Sequence, residues 1–297
     1  LNSLVQKDQR KYQIQQQQNT MFIELSNIGG ELKGGLSLLA PVSFADMTAA
    51  QAQMMRDKGY TVEEDIIVPR VIAIPDVQQP DDIHQAAAQW GVRKINAPAV
   101  WDAGYTGSNV GVCVIDGGVD GNHREITLAG ESSWHPGKPF TPDEHGTHVG
   151  GIVAALDGGQ VVGVAPDANL YSAMVFYNKS GTTTSKFMEA VDWCADQPGV
   201  RVINMSYGGS GNPGGNYEAV HQAAYDSGVL LVGASGNGSP GGPPIYPARY
   251  DSVIAVNQSL ENDQLDSRYG RNGEITAPGG SIYSTKPNNS YRNMSGT

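Results

Sequence analysis

From residue 109 onward the chain alternates two patterns. Short, nearly continuous apolar runs at 110–115, 169–175, 202–205, 229–233 and 252–256 have the length of strands buried on both faces. Between them, residues 145–155, 185–194 and 217–227 repeat apolar side chains at helical spacing. That order predicts an α/β fold, a three-layer α/β/α arrangement with a mostly parallel central sheet. Upstream the elements are shorter. Residues 21–25 read as a strand. Residues 48–58 read as a helix, with Thr48 as N-cap and Gly59 just past its end, and 66–68 and 71–74 as extended runs. Together they predict a small α+β unit.

Residues 1–20 are polar, with Gln15 to Gln18 consecutive, and read as a flexible leader or frayed helix. Pro75 to Asp82 is polar and carries Pro75 and Pro80, the composition of a linker. The chain therefore divides into a leader (1–20), a small unit (21–75), a linker (76–85) and a large domain (86–297). Short helices at 82–90 and 97–103 lead into the first buried strand.

Composition narrows the picture. At 297 residues there is room for one large domain and one small one. A net charge of −11 argues against nucleic acid as a partner. With 38 glycines and only 16% charged residues, the chain suits a loop-rich globular protein rather than a disordered one. No apolar run approaches the ~20 residues of a membrane span, so no membrane partner is expected. Cys113 and Cys194 both read as small buried hydrophobes, and a disulfide between them stays open.

Two stretches carry chemistry. In Asp143-Glu144-His145-Gly146-Thr147-His148-Val149-Gly150-Gly151 a polar loop delivers a histidine and becomes a small-residue helix within three positions. Such a helix can lie deep in a core and hold an imidazole rigidly from behind. A metal site is disfavoured, because His145 and His148 are three apart with only Gly and Thr between them. Upstream, the run 110–115 ends in Asp116-Gly117-Gly118. That is an acid at the carboxyl end of a buried strand, where open α/β sheets build their sites. A carboxylate so placed can fix an imidazole's tautomer; alone it reads equally well as a turn aspartate.

With these residues in view, the chain resembles the subtilisin-like serine proteases, the subtilases. Val112 to Asp120, His145 to Ala155 and Met294-Ser295-Gly296-Thr297 resemble the family's three signature blocks in the order Asp, His, Ser. Tyr105 to Val110, Gly163-Val164-Ala165-Pro166, Asn204 to Gly209, Ala234 to Asn237 and Tyr246 to Tyr250 match between them. The likeness runs from about residue 90 to the last residue.

The resemblance implies roles. His145 is the expected general base, Asp116 its orienting acid and Asn237 the oxyanion donor. Ser206, Tyr207, Gly208 and Gly209 form the substrate-binding edge, with Tyr207 facing the cleft. Ile245, before Tyr246-Pro247, lies at the floor of the primary specificity pocket. The nucleophilic serine is expected directly after Thr297, beyond the last residue given, so the 297-residue piece alone is expected to be inactive. No cofactor is implied for catalysis. Calcium is a common structural ion in the family, and Glu125, Asp157 and Gln160 are its candidate ligands here.

The expected function is a broad-specificity serine endopeptidase in zymogen form. Its expected partners are protein or peptide substrates and residues 21–75 as its own inhibitory propeptide, whose 71–74 run enters the cleft and is cut in the linker. The family further implies a monomer, secreted from the cell. The competing reading is an inactive relative that binds peptides.

Overall fold

A computed structural model describes residues 2–69, 74–75, 89–178, 180–238, 241–265 and 272–297. The N-terminal part contains α1 (Asn2–Asn27), β1 (Glu31–Gly35), β2 (Ser43–Asp46), α2 (Ala49–Asp57), β3 (Ile67–Val68) and β4 (Ile74–Pro75). The strands β1 and β2 form an antiparallel pair. The helix α2 is closed by a capping box, in which Thr48 accepts from Gln51 N–H while the Gln51 side chain accepts from Thr48 N–H.

One expectation fails here. Residues 2–20 form a helix, one of the two readings left open for them, and residues 21–25 continue it instead of forming a strand. Met21 to Leu25 is too short to show a period of its own, and a short apolar run cannot distinguish helix from strand. Leu25 is buried, while Phe22 and Ile23 are exposed, so the run presents one helical face. The expected linker 76–85 and most of the expected helix 82–90 lie outside the described residues.

The large domain opens with α3 (Trp90–Lys94) and α4 (Ala97–Asp102). It continues through β5 (Gly111–Asp116), β6 (Leu128–Ser133), α5 (Glu144–Ala154), β7 (Asn169–Met174), β8 (Thr182–Thr183), α6 (Thr184–Asp196) and β9 (Val200–Met205). Then come α7 (Gly215–Asp226), β10 (Leu230–Ala234), β11 (Val253–Ser259), β12 (Ile275–Pro278), β13 (Ile282–Lys286) and β14 (Ser290–Ser295). Seven strands form one sheet in the order β12-β11-β10-β9-β5-β7-β6, and every pairing in it is parallel. The three-layer α/β/α expectation therefore holds.

The strand β5 is an interior strand of this sheet and all six of its residues are buried. Its neighbours β7 and β9 bring Ala173 and Ile203 into an apolar cluster with Cys113, Ile115, Phe187 and Val191. That cluster fixes the end of β5, and so the position of Asp116.

Cys113 and Cys194 form a disulfide, joining β5 to α6 across the core. This replaces the expectation of two separate small hydrophobes. Both side chains are fully buried, as that expectation required, but sequence patterns do not report which buried residues face each other.

Candidate active site

Asp116 ends β5 with 1% of its surface exposed. Its Oδ1 accepts from Gly117 N–H at 2.6 Å and its Oδ2 lies 2.7 Å from His145 Nδ1. The two residues are 29 apart in sequence. The fold joins them because α5 starts where the loop after β5 passes. Asp143 caps α5, accepting from Gly146 N–H at 2.8 Å, so His145 sits in the first turn. Gly146 permits the approach: a Cβ there would stand 2.4 Å from Gly118 O. Behind the histidine, Ser284 and Thr285 donate to the carbonyls of His148 and Thr147 at 2.9 and 2.8 Å. His148 itself is buried and bonded to Ile282 O at 2.9 Å, and burial pushes its pKa down to about 4. His148 is a neutral packing residue; the His145 side chain keeps 11% of its surface exposed.

The Nδ1 of His145 donates to the carboxylate, so Nε2 carries the lone pair and can take a proton. Beside it, Glu144 receives Arg292 at 2.6 Å and Lys286 at 3.2 Å. Burial pulls the Glu144 carboxyl upward, and the two cations outweigh this and hold it below its usual range.

Asn237 follows β10 in the loop that begins at Ser235. Its Oδ1 accepts from both the N–H and the hydroxyl of Thr297, each at 3.0 Å. The Thr297 hydroxyl in turn accepts from Gly236 N–H at 3.1 Å. The residue expected to precede the nucleophile is therefore clamped to the expected oxyanion donor.

Ser206 to Gly209 follow β9. Tyr207 is fully buried and stacks on Phe187 at 4.2 Å, within the apolar cluster that also holds Val68. Its ring is packed wholly inside that cluster and exposes no surface, so it does not face a cleft as expected. The Gly209 N–H and C=O are taken by Tyr246, at 3.1 and 2.9 Å, so Gly209 offers surface rather than ladder bonds. Ile245 is 4% exposed and presses on Gly208, where a Cβ would stand 2.7 Å from Ile245 Cδ1.

A strand of the N-terminal part lies along this edge. Ile67 and Val68 pair antiparallel with Thr183 and Thr182, and Thr184 N–H donates to Ile66 O at 3.0 Å. Gly181 abuts Val68 O, and Gly209 abuts Pro69 and Val68. Downstream, Ile74 and Pro75 pair with Ser295 and Met294 of β14. The segment beside Gly209 is thus Val68–Pro69, upstream of the 71–74 run expected to enter the cleft. Residues 71–73 of that run lie outside the described residues.

Sequence reasoning missed the β8 edge, although the polar run Ser180 to Ser185 before a helix marks an exposed turn. It also missed three acids that join the two parts. Asp65 accepts from Thr184 Oγ1, Ser185 N–H and Ser185 Oγ at the start of α6. Glu63 accepts from Gly215 and Asn216 N–H at the start of α7. Asp192 accepts from the N–H groups of Ser37, Leu38 and Leu39.

Of the candidate calcium ligands, Glu125 is buried against the loop that carries the other two. The Glu125 carboxylate accepts from Gln160 N–H at 2.7 Å, Val161 N–H at 3.3 Å and Tyr291 OH. Burial raises the Tyr291 pKa to about 12, so its hydroxyl remains a donor. Asp157 and Gln160 are exposed, and Asp157 accepts from Gly158 N–H in its own turn. Among the described residues no three His, Cys, Asp or Glu side chains gather as a metal cage. The loop closes on Glu125 through its own amides.

The family model described as the Subtilase family matches residues 107–297. Subtilisin DY of Bacillus licheniformis is 42% identical over 216 residues, covering 70% of this chain and 78% of that protein. Subtilisin Savinase of Lederbergia lenta is 38% identical over 213 residues, again covering 70% and 78%. An alkaline protease of Alkalihalobacillus alcalophilus is 38% identical over 213 residues, and there the match spans 55% of the relative. With the acid and imidazole joined at the carboxyl end of a parallel sheet, and these matches over the same residues, the chain belongs to the subtilase family of serine peptidases.

Proposed function

We propose that the protein is a broad-specificity endopeptidase in which Asp116 and His145 activate the hydroxyl of a serine following Thr297. The observation that carries this reading is the 2.7 Å contact between His145 Nδ1 and Asp116 Oδ2. The carboxylate fixes the tautomer that leaves Nε2 basic and offsets the charge when the imidazole is protonated. The serine oxygen attacks the scissile carbonyl, its proton passes to His145 Nε2, and the same proton goes to the leaving amine. Asn237 donates to the oxygen that becomes negative. Its own oxygen is held by Thr297, which turns its NH₂ the other way.

The N-terminal part acts as a propeptide that occupies the cleft. This is supported by the strand pairing of Ile67–Val68 with β8 and by the three acids that hold α6, α7 and the loop at 37–39. Main-chain pairing at such an edge asks little of side chains, which fits broad specificity. The Cys113–Cys194 disulfide fits an oxidising, extracellular location. No described helix is long and apolar enough to cross a membrane.

The test is kinetic. The protein carrying the serine should label with a fluorophosphonate, and Asp116→Asn should lower turnover by about 10⁴, the value known for a serine protease triad. Wild-type turnover in Asp116→Asn would overturn the reading.

A further inference from the structure

The first half of α1 is a helix with almost nothing to bury. From residue 5 to residue 18 only Ile14 is buried, while Val5 and Tyr12 are 52% and 64% exposed. A helix so polar needs another reason to lie where it does. Its contacts with the large domain supply one. Lys7 Nζ donates to Ala195 O at 2.9 Å, and Lys11 Nζ pairs with Asp196 Oδ2 at 2.6 Å. Both acceptors belong to the last turn of α6, where free carbonyls and the helix dipole favour cations. Arg10 donates to Leu39 O at 2.6 Å, and the N–H of that same Leu39 donates to Asp192 in the middle of α6. At the opposite end, Asp65 covers the first turn of α6. The N-terminal part therefore holds α6 at its start, middle and end, and among the described residues its hold on the end comes from Lys7 and Lys11 of α1.

We infer that residues 2–13 are a clasp, an electrostatic interaction surface whose partner is the C-terminal turn of α6, and that it sets how long the N-terminal part stays bound once the chain between the two parts is cut. This rests on the propeptide reading. Cleft pairing through β3 explains where the N-terminal part binds, and the clasp governs its release without touching the cleft. Lys7, Lys11 and Asp196 are each partly exposed, so salt weakens the clasp, whereas the buried Asp192 contacts resist it.

A recognition sequence for a site-specific protease is placed in the 76–88 segment of the full chain. The purified protein is cut, and loss of the N-terminal fragment is followed after dilution at low and high salt. The uncut protein gives the folding control, by circular dichroism and thermal melting. The expected result is a fragment that stays bound in wild type. In Lys7→Ala/Lys11→Ala it should leave about three to ten times faster at low salt, with a smaller salt effect. Lys11→Asp should release it quickly, and adding Asp196→Lys should restore retention, which a folding defect would not. Equal release rates in wild type and Lys7→Ala/Lys11→Ala, with the fragment retained in both, would overturn the clasp and leave the propeptide reading intact. Immediate loss of the wild-type fragment on cutting would overturn the propeptide reading and the clasp with it.

Discussion

Thr297 donates to Asn237 Oδ1 twice, once from its backbone N–H and once from its hydroxyl, each at 3.0 Å. One amide oxygen thereby fixes the flip of the Asn237 side chain and the path of the backbone into the next residue. Two variants separate these effects. Asn237→Leu removes the donor and is expected to lower kcat by about 10²–10³ with little change in KM, the loss measured for such a donor in a subtilisin. Thr297→Val removes the hydroxyl but keeps the N–H. Losing one hydrogen bond of ~1 kcal/mol should lower kcat about fivefold. Steady-state kinetics on a peptide ester reads both, and equal losses in the two variants would argue against this division.

Ile245 fills the space beneath Gly208 and is expected to shorten the primary pocket. The enzyme should prefer Ala, Leu or Met over Phe or Tyr on the acyl side of the cut. Ile245→Gly should shift kcat/KM toward Phe by at least about 10–200-fold, the range for a single methylene in an apolar pocket. Profiling both proteins on one peptide library decides it. A wild type that already prefers Phe would show that the floor lies elsewhere.

The Cys113–Cys194 bridge closes a loop of 81 residues and ends three residues before Asp116. Loop-closure arguments give about 4 kcal/mol for a loop of that size. Cys113→Ala/Cys194→Ala should lower the unfolding free energy from denaturant titration by that order, and reductant should lower the wild type toward the variant while leaving the variant unmoved. A variant as stable as wild type would show that packing alone holds β5 against α6.

His148 and His221 are buried, and burial pushes each pKa down to about 4 from 6.5. Each stays neutral in the folded protein while the unfolded chain takes up a proton below about pH 6.5. Stability should therefore be flat above that pH and fall as pH drops from about 6.5 to about 4, by up to about 3 kcal/mol per ring. Thermal melts across this range should show the slope, and His221→Gln should remove about half of it. An unchanged slope in His221→Gln would mean that His221 does not titrate on unfolding.

The buried strands and the helices between them were legible because double-sided burial leaves unbroken apolar runs. β5 differs from its expected span by one residue at each end. The His145 mount was legible too, since small residues on one helix face have few other uses. The strands β13 and β14 were not. Their patterns, Ile282 to Lys286 and Ser290 to Ser295, mix polar and apolar residues, and Ser284 and Thr285 are buried only because they bond to α5 carbonyls. The polar contacts between the two parts were equally hidden. Glu63, Asp65 and Asp192 look like surface acids until the helix starts and loop amides that they serve are placed beside them.

The pairing of β5 has a kinetic consequence. Gly111 pairs with Asn169 on one side and Val200 on the other, and no hairpin joins any two strands of this sheet. Each pairing must bring together segments separated by a crossover, so loop entropy is lost before a strand contact compensates for it. The sheet that mounts Asp116 therefore makes a slow-folding chain, because its first productive contacts lie far apart along the sequence.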